Sequence, residues 1–202
     1  EKELLLILDN FEHLLADAAL LAEVLQSAPR VRIIVTSRER LSLQGEWLLE
    51  VGGLSYPPAN RQDGDMRYSA VRLFISCARR RDSTFTYSDA DRPYIARICQ
   101  LVGGMPLAIE LAAAWVRTLP LKDIAREVRI DTGILVSNER NIPVRHRSLL
   151  AVFDHSWDLL DVEEQAALLD LAVFRGGFQR ESAEQVTGVS TELLANLVDK
   201  SL

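Results

Sequence analysis

Three short stretches of the chain carry side chains suited to chemistry. The first is Leu4-Leu5-Leu6-Ile7-Leu8-Asp9. Its apolar run is too short for a helix and reads as a strand buried on both faces, as in a parallel sheet. A carboxylate at the C-terminal end of such a strand faces the crevice where these sheets bind ligands. It can hold the Mg2+ that bridges two phosphates, or it can merely cap the next helix. The second stretch is Thr36-Ser37-Arg38, which ends another apolar run, Val31–Val35. The planar fork of Arg38 suits a terminal phosphate; the plain alternative is a loop arginine in solvent. The third is Gly103-Gly104-Met105-Pro106. Glycines ahead of a helix permit close backbone approach, and an ordinary turn between helices uses the same residues. Glu12 is the nearest acid downstream of Asp9. It can orient an attacking water, or it can simply favour the positive end of a helix.

The elements that must position these residues follow from periodicity. Phe11 to Ser27 repeats apolar residues at helical spacing, with Leu14, Leu15, Ala18, Leu21 and Leu25, and Pro29 lies just past its end. Strand, helix and strand make a βαβ unit with a parallel sheet. Trp47–Val51 reads as a further strand, ended by Gly52-Gly53, and 54–65 reads as a linker. Helices are expected at Ser69–Arg81, from a Ser88 cap through Arg92 to Val102, from Pro106, and at Lys122–Val128. Residues 131–147 are polar and read as a connection. Leu149–Leu160, Glu163–Ala172, Arg180–Thr187 and Thr191–Lys200 read as short helices, with a tight turn at Phe174–Phe178.

The bulk composition narrows the partners. Apolar residues make up 48% and charged residues 26%, which fits a packed globular chain and not a disordered tail. The formal net charge of -6 lacks the footprint of a nucleic-acid binder. Arg79-Arg80-Arg81 is the one basic run, and a solvated helix face explains it. Cys77 and Cys99 fit no disulfide or metal framework and point to a reducing compartment, so a cytoplasmic location is expected. No apolar run reaches the roughly 18–20 residues of a membrane span. A core strand starting at residue 4 makes the chain look cut from a longer one.

Taken in order, Leu-Ile-Leu-Asp-Asn-Phe-Glu-His-Leu-Leu, then Ile-Ile-Val-Thr-Ser-Arg, then Gly-Gly-Met-Pro-Leu-Ala-Ile-Glu-Leu resemble the signal-transduction ATPases with numerous domains. This STAND class includes the NB-ARC proteins, and the likeness is closer to its bacterial transcriptional-regulator type. Arg145-His146-Arg147-Ser148-Leu149, Phe153–Leu160, Val173–Phe178 and Leu197–Leu202 resemble the same group, so the resemblance runs over nearly the whole chain.

The resemblance implies roles. Asp9 would be the Walker B acid that orders Mg2+, and Arg38 the sensor arginine near the γ-phosphate. Pro106 would pack near the base or ribose. Asn10 stands where many relatives carry a second acid, which suits a slow switch and leaves Glu12 as the nearest candidate for water activation. No Gly-x-x-x-x-Gly-Lys-Ser/Thr loop occurs, so the phosphate-gripping half is expected upstream and this chain alone is expected to be inactive. The histidine that senses ADP in relatives is expected past Leu202, and His155 is not its equivalent.

The expected fold is an α/β remnant at 1–56, the C-terminal half of a P-loop parallel sheet, then an all-helical domain at 57–143. A truncated winged-helix-like domain follows at 144–202, making the chain mostly α. The implied function is an ATP/ADP switch with Mg2+ in signal transduction or transcriptional regulation. The implied partners are nucleotide and the other domains of the same chain; separately, a first strand without its sheet neighbours is expected to leave an apolar edge open to self-association. The competing readings are a winged-helix DNA-binding module and a helical scaffold independent of nucleotide. Arg180–Thr187, with Glu181, Glu184 and a single arginine, argues against groove binding.

Overall fold

The computed structural model describes residues 3–58, 66–130, 132–136, 148–174 and 176–201, with the backbone alone for Thr132 and His155. Most of the connection at 131–147, with His146, falls outside these residues, as do Arg175, Leu202 and the later part of the 54–65 linker.

The chain packs as two units, one made of Glu1–Glu50 with Leu160–Leu202 and the other of Val51–Leu159. The sequence division at 1–56, 57–143 and 144–202 follows composition along the chain. Packing follows contacts, and it groups the C-terminal helices with the sheet.

In the first unit, strand β1 (Leu4–Leu8) pairs in parallel with β2 (Val31–Val35), with Leu4 opposite Val31 and Leu8 opposite Val35. The strand–helix–strand reading holds. Burial on both faces does not: Leu4, Leu5, Ile7 and Ile34 are each more than half exposed. The described residues supply two strands only, so no sheet neighbour covers the far side of either.

The single helix expected from Phe11 to Ser27 divides. Phe11–Asp17 forms 3-10 turns and Ala19–Ser27 forms α1, with Leu14 out of helical geometry at φ -124, ψ 16. The apolar face is only partly covered: Phe11 and Ala18 are buried, Leu15 and Leu21 are half-buried, and Leu14 and Leu25 are exposed. The strand expected at Trp47–Val51 does not form. Those residues find no ladder partner among the described residues, and Trp47 is 97% exposed. Strand composition alone does not make a strand; the run must also pair with a neighbour, and among the described residues this one does not.

The second unit is helical. It holds α2 (Ser69–Arg81), α3 (Arg92–Leu101), α4 (Pro106–Ala113), α5 (Leu121–Ile130) and α6 (Leu149–Trp157). α2 packs on α4 and α3 on α5. Phe74, Ile95, Ile98, Ile109 and Ile124 are fully buried between them. Ser88 does not cap α3. The cap position is Asp91, whose carboxylate accepts the Ser88 N–H and hydroxyl at 2.9 and 2.8 Å. α6 stops at Trp157, short of the expected Leu160.

Three helices complete the first unit: α7 (Val162–Leu171), α8 (Arg180–Thr187) and α9 (Thr191–Asp199), each packed on the other two. A capping box joins Asp161 and Glu164 at the start of α7. Gly188, at φ 74, ends α8. No wing strand follows among the described residues.

Candidate functional site

The parallel register brings the ends of β1 and β2 side by side. Thr36 is the hub. Its N–H donates to Leu8 O at 2.9 Å, and its carbonyl accepts the Phe11 N–H at 3.0 Å. Its hydroxyl donates to Asp9 Oδ1 and accepts the Asn10 N–H at 3.1 Å. Asp9 and Thr36 both face solvent. An exposed carboxylate beside a hydroxyl is an oxygen-only donor set, which suits a hard cation that keeps waters and phosphate oxygens as its other ligands. No cluster of three or more His, Cys, Asp or Glu occurs among the described residues. Any cation here would therefore be shared with its ligand and not caged by protein.

Asn10 has a conformational reason for its identity. It sits at φ 57, ψ 49, the left-handed region in which asparagine is among the few tolerated residues. The chain needs that turn to leave β1 and enter the buried Phe11.

Glu12 lies under the same strand ends. Its side chain is 4% exposed, and its Oε1 stands 3.8 Å from Arg38 Nε, while Arg38 is 28% exposed. The structure thus brings Asp9, Glu12 and Arg38 into one unit at the strand ends. Pro106 belongs to the other unit, where it is the exposed first residue of α4.

The glycines before Pro106 meet the chain itself. Gly104 has φ +70, and its carbonyl accepts the Leu54 N–H at 2.8 Å. A Cβ there would collide with Leu54 O and come within 2.9 Å of Tyr56 Cδ1. The close approach is therefore between backbone segments, as an ordinary turn requires.

Contacts near Arg38 that spacing alone missed come from the far end of the sequence. Ser201 Oγ donates to Arg38 O at 2.5 Å. The Arg40 N–H donates to Asp199 O at 3.3 Å, and Arg40 Nε pairs with Asp199 Oδ1 at 3.1 Å. Lys200 Nζ reaches the buried Glu164 Oε2 at 2.7 Å. The stretch 197–202 was singled out by resemblance, but its contact with the Arg38 segment had no sequence signal.

The α8 face is electrostatically closed. Arg180 pairs with Glu181 at 2.9 Å and lies 4.0 Å from Glu184 on its own helix. The Glu181 carboxyl lies below the usual range because of a hydrogen bond from its own backbone, then the hydrogen bond and charge of Arg180. No helix among the described residues is long and apolar enough to cross a membrane.

Comparison with known proteins finds relatives that align along the whole chain. The whole chain aligns at 35% identity over 209 residues with a protein of Mycobacterium tuberculosis named as a proposed HTH-type transcriptional regulator, and covers 23% of it. A protein of the same description in Mycobacterium bovis aligns equally well. An uncharacterized protein of Mycobacterium tuberculosis aligns at 36% identity over 211 residues, with 51% of it covered. The chain therefore spans between about a quarter and about half the length of these curated relatives. No family model matches it, and no solved structure does.

Proposed function

We propose that this chain is a regulatory section of a transcriptional regulator of the HTH type, and that its strand ends receive a nucleotide phosphate with Mg2+. The regulator part rests on the relatives' printed names and on an alignment that takes in the whole chain. The nucleotide part rests on one observation: the Thr36 hydroxyl holds the Asp9 carboxylate at the open end of a parallel pair, with Arg38 at the same end. Asp9 would bind the cation, Thr36 would fix the carboxylate, and Arg38 would meet the terminal phosphate. Glu12 remains the candidate for orienting water, and Pro106 the candidate for contact with the base or ribose. ATP or ADP exchange would then shift the balance between conformations of the whole protein.

A second reading has its own support. The relatives' names specify a helix-turn-helix and no nucleotide, which favours a chain that contacts DNA through α7–α9 or serves as a helical scaffold. The charge pattern favours a reading helix elsewhere. Arg180 is paired within α8, α9 has no lysine or arginine inside it, and Lys200 at its end is engaged by Glu164. Groove contacts need free Lys/Arg or Asn/Gln on one face. Titration of the full-length protein with labelled ATP and ADP, with and without Mg2+, separates the two. Mg2+-dependent binding supports the switch. DNA retardation with steep salt dependence, lost on charge reversal in α8 or α9 and indifferent to nucleotide, supports the alternative.

A further inference from the structure

Helix α9 ends on a strained residue. Lys200 is its C-cap, and the next position, Ser201, has φ 62. Helices commonly place glycine there, because a Cβ makes the left-handed conformation costly. Serine at this position carries strain that glycine would not. Its hydroxyl donates to the Arg38 carbonyl at 2.5 Å. Two residues back, the Asp199 carbonyl accepts the Arg40 N–H at 3.3 Å, and the Asp199 carboxylate pairs with Arg40 Nε at 3.1 Å. The last four carbonyls of a helix need partners from outside it, and a cation beside them is favoured by the dipole. The segment 38–40 therefore caps α9, and α9 holds that segment from behind. Within the loop, the Glu39 N–H donates to Ser37 Oγ at 3.2 Å, a local bond that does not reach the body of the protein. The same turn of α9 is anchored to α7 through Lys200 and the buried Glu164.

Resting on the strand-end phosphate reading, we propose that Ser201 and Asp199 are positioning residues for the phosphate site: they fix the backbone at residues 38 and 40, and so set where Arg38 stands when a phosphate-like anion meets it. Both contacts act on backbone or on Arg40, and neither requires the Arg38 side chain to change partner. A guanidinium fork meets phosphate oxygens in a defined geometry. Supporting residues must hold such a group to within about 0.5 Å of its working position. The strain at Ser201 fits this role, because strained residues persist where the surrounding structure uses them. A role confined to ending the helix makes the opposite forecast. Glycine at 201 would then relieve the strain and leave anion binding as it was.

The test uses the full-length protein, with dissociation constants for Mg2+-ATP and for pyrophosphate measured calorimetrically beside thermal melts. Ser201→Gly deletes the hydroxyl and relieves the positive φ, so its melting temperature is expected to hold or rise. Its binding of both probes is expected to weaken about fivefold, an ordinary size for coupling between separate groups. Asp199→Ala keeps Ser201 but removes the pair with Arg40, and is expected to weaken both probes about threefold, as suits a half-exposed ion pair. Both losses are expected to vanish in an Arg38→Gln background, because they act through Arg38. Parent affinity in either variant overturns the proposal and leaves the strand-end reading standing. A loss that survives Arg38→Gln also overturns it, and so does a loss in Ser201→Gly that comes with a fall in melting temperature. Pyrophosphate responding as stated while ATP binds to no variant supports the proposal and sinks the nucleotide reading. Binding of neither probe to the parent protein overturns both.

Discussion

Thr36 shows what one side chain contributes at the strand ends. Its hydroxyl joins Asp9 and Asn10 across two strands. Thr36→Val keeps the shape and the β-branch but removes both bonds. The expected cost is about 1 kcal/mol, roughly 2–4 °C in Tm for a chain of this size, read by thermal melting. Cys99 offers a second check at this scale. Burial pushes its thiol up from 9.0 to about 12, so folding favours the neutral form. Its contribution to stability is complete below the ordinary thiol range and is lost as pH rises toward about 12. Iodoacetamide at about pH 9 is accordingly expected to leave Cys99 unmodified until denaturant is added, because the thiolate is the reactive species. Rapid alkylation of the native chain would contradict it. That Asp9 and Thr36-Ser37-Arg38 follow the ends of two strands was legible in the sequence, because polar residues that stop an apolar run mark a strand end. The hub role of Thr36 and the pairing of Glu12 with Arg38 were not. Both depend on the register between two strands, which spacing along either one leaves open.

Elements were most legible where one face is thoroughly buried, as in Ser69–Arg81, or where a left-handed glycine marks the end, as Gly188 does for Arg180–Thr187. The reading failed where tertiary context decides. Trp47–Val51 has strand composition but pairs with no strand among the described residues, and Phe11–Ser27 breaks at Leu14, which is exposed. Gly103 and Gly104 separate two kinds of glycine requirement. Both have positive φ, but a Cβ at Gly103 meets nothing within 4 Å, whereas one at Gly104 strikes Leu54 O. Gly103→Ala is expected to cost about 1 kcal/mol from backbone strain alone, and Gly104→Ala about 3 kcal/mol or more from strain plus collision. Equal losses in thermal melts would show that the close approach to Leu54 does not matter. α9 and α7 are tied by Lys200 and Glu164, and Glu164 is 3% exposed. Lys200→Met removes the counter-charge and leaves the carboxylate buried, for an expected loss of about 2 kcal/mol. A Glu164→Gln/Lys200→Met double variant is expected to recover part of that loss.

At the scale of the whole molecule, the apolar surface of β1 has a direct consequence. Leu4, Leu5 and Ile7 are more than half exposed, and the outer edge of β1 is unpaired among the described residues. Such an edge is a template for pairing with another chain. The 202-residue chain on its own is expected to self-associate with rising concentration. Ile7→Lys is expected to suppress this in light scattering, and a clean monomer for the parent chain would refute it. Packing of Leu160–Leu202 into one unit with the sheet was not legible in the sequence, because the linking contacts join Arg38 and Arg40 to Asp199 and Ser201 at the opposite end of the chain. The regulatory reading also belongs to this scale, since the relatives are longer than this chain and carry their name as whole proteins. Its central claim is that Asp9 anchors Mg2+-nucleotide at the strand ends. The most direct measurement is Mg2+-dependent ATP and ADP binding by the full-length protein and its Asp9→Ala variant. The account predicts binding that weakens at least about tenfold on substitution, or on removal of Mg2+, with the fold intact by circular dichroism. Nucleotide binding indifferent to both Asp9 and Mg2+, or absent from the full-length protein, would contradict it.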